Sequence, residues 1–352
     1  MSENTNIEWC DHTFNPWEGC QKVSPGCDNC YAETRNKRFG GGVSPNWGPG
    51  APRRRTSVKN WNLPVAWNAA HEGFKAQHGR RQRVFCASLA DWLDNAVPIE
   101  WLIDLLDLIR RTPDLDWLLL TKRIGNFEAR LREAKDAIDF DKQRDLWLFI
   151  KAWLNGEEIP QNVWAGASIV NQEEADRDIP KLLTVRTPIH FLSMEPLLAH
   201  VHIRDHWLIH HHSGDAAIDW VIVGGESGPG ARPMHPDWAR DLRDQCAAAG
   251  TPLLFKQWGE WLPINQQEEA FTRRLYRSNR IAKLHEDQAA LDDCYGRTCT
   301  VASGVVQRDG SLHGITEPMA FLQGTSPMQT FNVGKKAAGR LLDHAQHDGY
   351  PK

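Results

Sequence analysis

The sequence predicts an α/β protein: a full or partial parallel (β/α) barrel with a C-terminal extension. Three observations predict it. Short apolar runs alternate with amphipathic helical segments, the pattern of parallel strands joined by right-handed crossovers. Six such runs are clear and a seventh precedes them, which fits a barrel better than an open dinucleotide-binding sheet; no GxGxxG opens a helix anywhere in the chain. Each run also finishes in polar residues, as strands do when their C-terminal ends border an active site. A doubly wound open sheet is the rival architecture.

The elements follow in order. Thr13–Trp17 reads as a first strand leading into a cysteine-bearing loop, and residues 39–60, rich in Gly, Pro and Arg, read as irregular. Arg83–Ser88 is a strand, and Pro98–Arg111 a helix with apolar positions Ile99, Leu102, Ile103, Leu105, Leu106 and Ile109 on one face. Asp116–Thr121 is the next strand and Asn126–Lys135 the next helix; a charged segment near 140–160 reads as a helical insertion. Asn162–Ser168, Pro188–Glu195, Asp219–Gly225 and Thr251–Lys256 read as strands, Gln172–Leu183 and Asp237–Ala249 as helices, the latter stopped by Gly250. Residues 1–260 thus form the barrel and 261–352 the extension. The extension is expected to hold a charged helical stretch over 266–293, a hairpin over Thr298–Gly314 turning at Asp309-Gly310, and a closing helix from Gly334 to His344.

Composition narrows the setting. A chain of 352 residues with 41% hydrophobic content supports a full core. No apolar run reaches membrane-spanning length and the first residues are polar, so the expectation is a cytoplasmic protein with no membrane partner. Eight cysteines are too sparse for a disulfide scaffold, and in a reducing compartment a tight group of them points to metal or redox chemistry. The net charge of −4 excludes a uniformly cationic surface, but Arg53-Arg54-Arg55 and Arg80-Arg81-Gln82-Arg83 are local basic runs suited to phosphates or, more plainly, to a solvated loop. Sixteen tryptophans, among them Trp9, Trp17, Trp47, Trp61 and Trp67, could stack on bases, though packing is the simpler use.

The chemistry gathers first at Cys20, Cys27 and Cys30. Thiolates suit iron–sulfur clusters and zinc, and Pro25-Gly26 favours a sharp turn that bends the loop back towards Cys20. A cubane cluster normally takes four protein ligands; three leave one iron open for a small molecule. The alternatives are a structural zinc site, with Cys10 or His12 as the fourth ligand, and three unrelated buried thiols.

The second gathering is at the strand ends: Ser88 with Asp91, Thr121-Lys122-Arg123, Ser168 with Asn171-Gln172, Ser193 with Glu195, Gly224-Gly225-Glu226-Ser227, and Lys256-Gln257. In a parallel barrel these clusters and the cysteine loop share one rim. An α-amino acid on the open iron needs an acceptor for its ammonium, which Ser88, Asp91 or Glu195 supplies, and a donor for its carboxylate, which Lys122 or Arg123 supplies. Ser168, Asn171 or Glu226 suits ribose hydroxyls, Gly224 and Gly225 allow close approach to backbone, and Lys256, Gln257 and Trp258 suit substrate. Lys122, Glu195 and Lys256 are the candidate catalytic side chains. His210-His211-His212 could hold a metal, but adjacent side chains on a loop face different ways.

With these features in hand, the chain resembles the phage and prophage three-cysteine-motif family, itself similar to a divergent branch of the radical S-adenosylmethionine enzymes. The resemblance rests on Trp9–Tyr31, Leu120-Thr-Lys-Arg123, Asn162-Val-Trp-Ala-Gly166, Leu192–Leu197, Trp220–Gly228 and Phe255–Gly259. It departs from the wider group in three ways: six residues, not three, separate Cys20 from Cys27; the aromatic Tyr31 follows Cys30 instead of preceding it; and Ser88-Leu-Ala-Asp91 stands where the wider group carries Gly-Gly-Glu, with Gly224-Gly-Glu226 coming much later. The resemblance implies a barrel of the radical-enzyme type and a [4Fe-4S] cluster on Cys20, Cys27 and Cys30. It also implies S-adenosylmethionine as cofactor and an electron donor such as flavodoxin or ferredoxin. The implied reaction is reductive cleavage to a 5′-deoxyadenosyl radical that takes hydrogen from a substrate. The basic runs, the tryptophans and the phage resemblance motivate a nucleic-acid substrate. A zinc-stabilised, non-catalytic nucleic-acid-binding protein is the competing function.

Overall fold

The structure, a computed structural model, describes residue 5, residues 7–209 and residues 216–351. Seven strands form its main sheet: β1 (His12–Thr13), β2 (Gln82–Cys86), β3 (Leu115–Thr121), β4 (Val163–Ser168), β5 (Ile189–Met194), β6 (Trp220–Gly224) and β7 (Leu253–Gln257). Every neighbour is parallel and the spatial order is the chain order. A doubly wound sheet reverses its order at a switch point; this one never does, so it curls one way into a half-barrel. The barrel expectation therefore holds in its partial form.

The crossover helices are α2 (Ile99–Arg111), α3 (Phe127–Ala137), α4 (Arg144–Asn155), α5 (Gln172–Leu182) and α6 (Pro236–Ala249); α1 (Tyr31–Phe39) follows the cysteine loop. Local signals set their limits. The Asn171 side chain caps α5 by accepting from the Glu174 N–H at 2.9 Å. Gly156 and Gly250, at φ +68° and +73°, end α4 and α6 in the left-handed region. The insertion near 140–160 is α4, which packs beside α2 and α3.

Strand parity divides the core. Val84, Trp117, Val163, Ala165, Leu192, Val221 and Phe255 face the helices. Their in-between neighbours Phe85, Leu118, Trp164, Phe191, Trp220, Ile222 and Leu254 fill the concave side with Trp9 and Cys10. Gly166 lies on that side too, and a Cβ there would sit 2.3 Å from the Phe191 ring. The interior is a packed floor, built from the N-terminal halves of the strands. A segment near the C-terminus completes it. Phe255 N–H donates to His347 O, Gly349 N–H to Leu253 O (both 2.9 Å), and the Tyr350 hydroxyl to Glu8 O at 2.7 Å.

Several expectations change. The first strand shortens to His12–Thr13, and Trp17–Glu18 pairs with Arg54–Arg55 in a separate ribbon, so the irregular 39–60 stretch carries a strand of its own. The 266–293 stretch is not one helix: Glu269–Arg274 and Gln288–Tyr295 are helical, and Tyr276–Ser278 pairs with Arg297–Cys299. The hairpin is present as β9 (Ser303–Val306) and β10 (Leu312–His313), with Gly310 at φ +95°, in a small sheet with β8 (Trp261–Pro263) and β11 (Met328–Asn332). The closing helix stops after Lys335–Ala338, where Gly339 turns to φ +70°. Among the described residues no helix is long and apolar enough to cross a membrane.

Candidate active site

Parity continues upward from the floor. Ser193, Gly224 and Lys256 stand two residues beyond the inward Phe191, Ile222 and Leu254, and Lys122 and Ser168 stand four beyond Leu118 and Trp164; Glu195 comes two after Ser193. The polar layer is thus the same strand face as the apolar floor, one step nearer the C-terminal ends. Lys122 Nζ donates to the Ser168 hydroxyl. Lys256 Nζ donates to both Glu195 oxygens, at 2.7 and 2.9 Å, and Gln257 Nε2 to one of them at 3.2 Å. A register shift between β6 and β7 opposes Val223 to Phe255 but Gly224 to Gln257, leaving Lys256 as the extra residue. Such a bulge re-aims side chains, and it lets consecutive residues of β7 reach one carboxylate. A Cβ on Gly224 would lie 3.3 Å from that carboxylate, so glycine leaves space beside it.

The cysteine loop is tied across this rim. Arg123, at the end of β3, donates to Cys20 Sγ at 3.3 Å and to Gln21 O at 2.9 Å. Arg232, beyond β6, reaches Pro25 O at 2.9 Å and Asp28 at 3.3 Å while paired with Glu226 at 2.6 Å. Asn29 donates to Glu226 at 3.0 Å and to Gly230 O at 2.9 Å. The Tyr31 hydroxyl donates to Ser88 O. A Cβ on Gly26 would fall 2.6 Å from Val170, so the turn presses against the end of β4. Burial pushes the Cys20 thiol up to about 11, with Asp91 adding to the rise and Arg123 opposing it; burial also raises Cys30. Metal binding would have to displace those protons.

Several sequence-predicted residues have other work. Asp91 is buried and accepts from Thr121 Oγ1 (2.7 Å), Lys122 N–H (2.9 Å) and Leu93 N–H (3.0 Å), and pairs with Arg123 (3.1 Å). It fixes the rim from behind. Ser88 exchanges hydrogen bonds with Asn15, and Asn171 is the cap of α5. Gly225 serves packing: a Cβ would lie 2.0 Å from Trp258 O. For Glu226, burial favours the neutral acid, but the Arg232 and Asn29 hydrogen bonds outweigh it and hold the carboxyl below its usual range. The structure therefore brings Lys122, Ser168, Glu195, Gly224 and Lys256 to the mouth, with Arg123 joining it to Cys20.

Among the described residues no three His, Cys, Asp or Glu side chains are gathered tightly enough to share one metal ion. Cys10 lies in the barrel floor, and His12 bonds Gln82 at 2.8 Å and stacks on Trp67, so neither completes a tetrahedral site with the loop. His210-His211-His212 lie outside the described residues. The basic runs are paired, though not all internally: the Arg54 side chain stays 63% exposed. Arg53 pairs with Asp94 in the core, Arg54 with Glu18, Arg55 with Asp104 and Arg80 with Asp11, while Arg83 stacks on Trp164 and Tyr350. Trp9, Trp17 and Trp67 are buried and offer no stacking platform. Arg232 and Asn29 went unforeseen, because their partners lie about two hundred positions away, as the 197 between Asn29 and Glu226 illustrates.

One family, described as "Protein of unknown function (DUF5131)", matches residues 4–351. No curated protein and no solved structure matches the chain.

Proposed function

The chain belongs to the DUF5131 family, whose description assigns no reaction, and from that premise we propose that it is an iron–sulfur enzyme of the radical S-adenosylmethionine type. The observation that carries the reading is the placement of a three-thiol loop directly on the rim of a polar, half-barrel mouth. Three soft donors on a loop anchored from β3 and from the segment after β6 fit a cubane cluster, whose ligands ring separate irons. The Arg123 N–H aimed at Cys20 Sγ suits a ligated thiolate equally.

When bound, the cluster supplies one electron to S-adenosylmethionine, whose cleavage gives methionine and a hydrogen-abstracting 5′-deoxyadenosyl radical. The chain's own residues orient and shield. Glu195, held by Lys256 and Gln257, would accept the ammonium of the methionyl group. Lys122 would meet its carboxylate. Ser168 is the ribose contact of the three foreseen, since Asn171 and Glu226 are committed to a helix cap and to Arg232. Gly224 leaves room beside Glu195, and the packed aromatic floor keeps water from below. A small electron carrier such as a flavodoxin or ferredoxin would be the reductant. The substrate is proposed to be a nucleic acid, a choice taken up below.

The test is anaerobic reconstitution of the full chain with iron and sulfide, followed by measurement of dithionite-dependent 5′-deoxyadenosine. Release is expected from the native chain and not from Cys27→Ser. A fully loaded protein that releases none overturns the reading.

A further inference from the structure

Beside the cysteine loop a cavity of about 350 Å³ opens between the loop, the end of β3 and α5. Its volume is at the lower end of small-ligand sites, about 300–1,000 Å³. Four cations line it, Lys122, Arg123, Arg177 and Lys181, with the Gln21 side chain beside them; the Asn126 amide donates to Leu93 O and Asn95 Oδ1, both at 3.1 Å. Carboxylates face these cations as well: Glu173 and Glu174 act on Arg177, and Asp94 on Arg123. Asp178 is shared by Arg177 at 2.6 Å and Lys181 at 3.3 Å, and Asp91 stands behind Arg123 at 3.1 Å. Lys122 bonds a neutral hydroxyl, Ser168, instead of a carboxylate. Four cations and one carboxylate, Asp178, thus line the cavity, in a chain whose net charge is −4.

Asp178 is almost fully buried and pairs with the Arg177 guanidinium and the Lys181 ammonium, holding both at the cavity while their side chains remain 45% and 46% exposed. Gly125 lines the cavity beside Lys181, whose side chain lies 3.6 Å from the position of a Cβ there. Fixed cations with amide donors in a concave site recognise phosphate.

We propose that this cavity binds a phosphate group of the substrate, the phosphodiester of a single-stranded nucleic acid, and so seats the strand beside the mouth. Lys122 borders both the cavity and the mouth, so a strand anchored here would present its neighbouring nucleotide to the polar layer. The choice of nucleic acid rests on the reading above; the phosphate site itself does not.

The experiment uses the full chain without cluster or S-adenosylmethionine, so its failure is separate from any failure of radical chemistry. A fluorescein-labelled single-stranded 12-mer is titrated by anisotropy across salt concentrations, with 5′-AMP and adenosine as competitors. The double variant Arg177→Gln/Lys181→Gln is expected to bind about ten-fold more weakly, and the slope of log K against log salt to become shallower by about 1. Arg177→Lys/Lys181→Arg retains the charge and should bind as the native chain does, and Arg273→Gln on the extension should change nothing. Competition by 5′-AMP but not adenosine assigns the site to any phosphate, free nucleotides included; binding of the 12-mer without competition by 5′-AMP assigns it to the phosphodiester. Unchanged affinity and slope in the double variant, equal competition by adenosine, or no binding by the native chain overturns the proposal.

Discussion

Glu195 is the residue on which the mouth turns. Three hydrogen bonds from two consecutive side chains, Lys256 and Gln257, fix one carboxylate that is itself only 18% exposed. Glu195→Gln keeps the shape and removes the charge, leaving the Lys256 ammonium, 14% exposed, without its counter-ion. The expected outcome is a fall of ten-fold or more in 5′-deoxyadenosine release with iron content unchanged, because the carboxylate is asked to meet charge and not to hold metal. Unfolding in urea reads the structural cost, about 1–3 kcal/mol for a charged group deprived of its partner. Pairing the change with Lys256→Met should recover most of it while activity stays low. Recovery of both together would mean that the pair acts only as scaffolding.

At the scale of the element, β4 shows how one strand makes both floor and mouth. Trp164 packs inward, Ser168 carries the hydroxyl at the rim, and Gly166 between them yields its place to the Phe191 ring. Gly166→Ala is expected to destabilise by about 1–3 kcal/mol, the usual cost of overpacking, seen as a lower urea midpoint at constant slope. Phe191→Leu costs stability alone but should partly rescue Gly166→Ala, since the two changes share one volume. Strict additivity would show that the glycine and the ring are independent. The strands were legible because an apolar run ending in polar residues is a local signal. The half-turn of the sheet was not: whether a strand row closes depends on pairing between its edges, which no window of sequence contains. The shift that brings Gln257 towards Glu195 is equally silent, since it depends on which residue of β6 faces which residue of β7. Asn171 and Ser88 fell to the plainer reading, a helix cap and a strand-end tie.

Across the whole molecule, charge pairs join distant parts of the chain. Asp343 accepts from Arg240 and Arg243 of α6, at 2.6 and 2.8 Å, and from Gln266 at 2.8 Å. The Arg240 hydrogen bond leads in holding its carboxyl well below the ordinary aspartate value of 3.8. A depressed folded value means stability that is present above the unfolded value and lost as pH falls towards the folded one. The native chain should therefore exceed Asp343→Asn by about 1 kcal/mol at neutral pH, allowing for solvent screening of a group one-third exposed, and the gap should narrow below about pH 4. A gap that is constant down to about pH 2 would remove Asp343 from the ledger of charged ties. The arginine runs teach the same lesson in reverse. Arg53 and Arg80 looked available because their partners, Asp94 and Asp11, stand 41 and 69 positions away. The cavity cations Arg177 and Lys181, which share Asp178, stand singly in the sequence and made no run at all.

The tie between Tyr350 and Glu8 spans 342 positions. Tyr350 also lies against Trp220 at 5.2 Å, and the Trp220 indole donates to Gly349 O at 2.7 Å. During synthesis every strand of the half-barrel leaves the ribosome before the residues that seat beneath it. Trp9 and Cys10 fill part of the concave side early, and Gly349 and Tyr350 add to it only after all seven strands have been made.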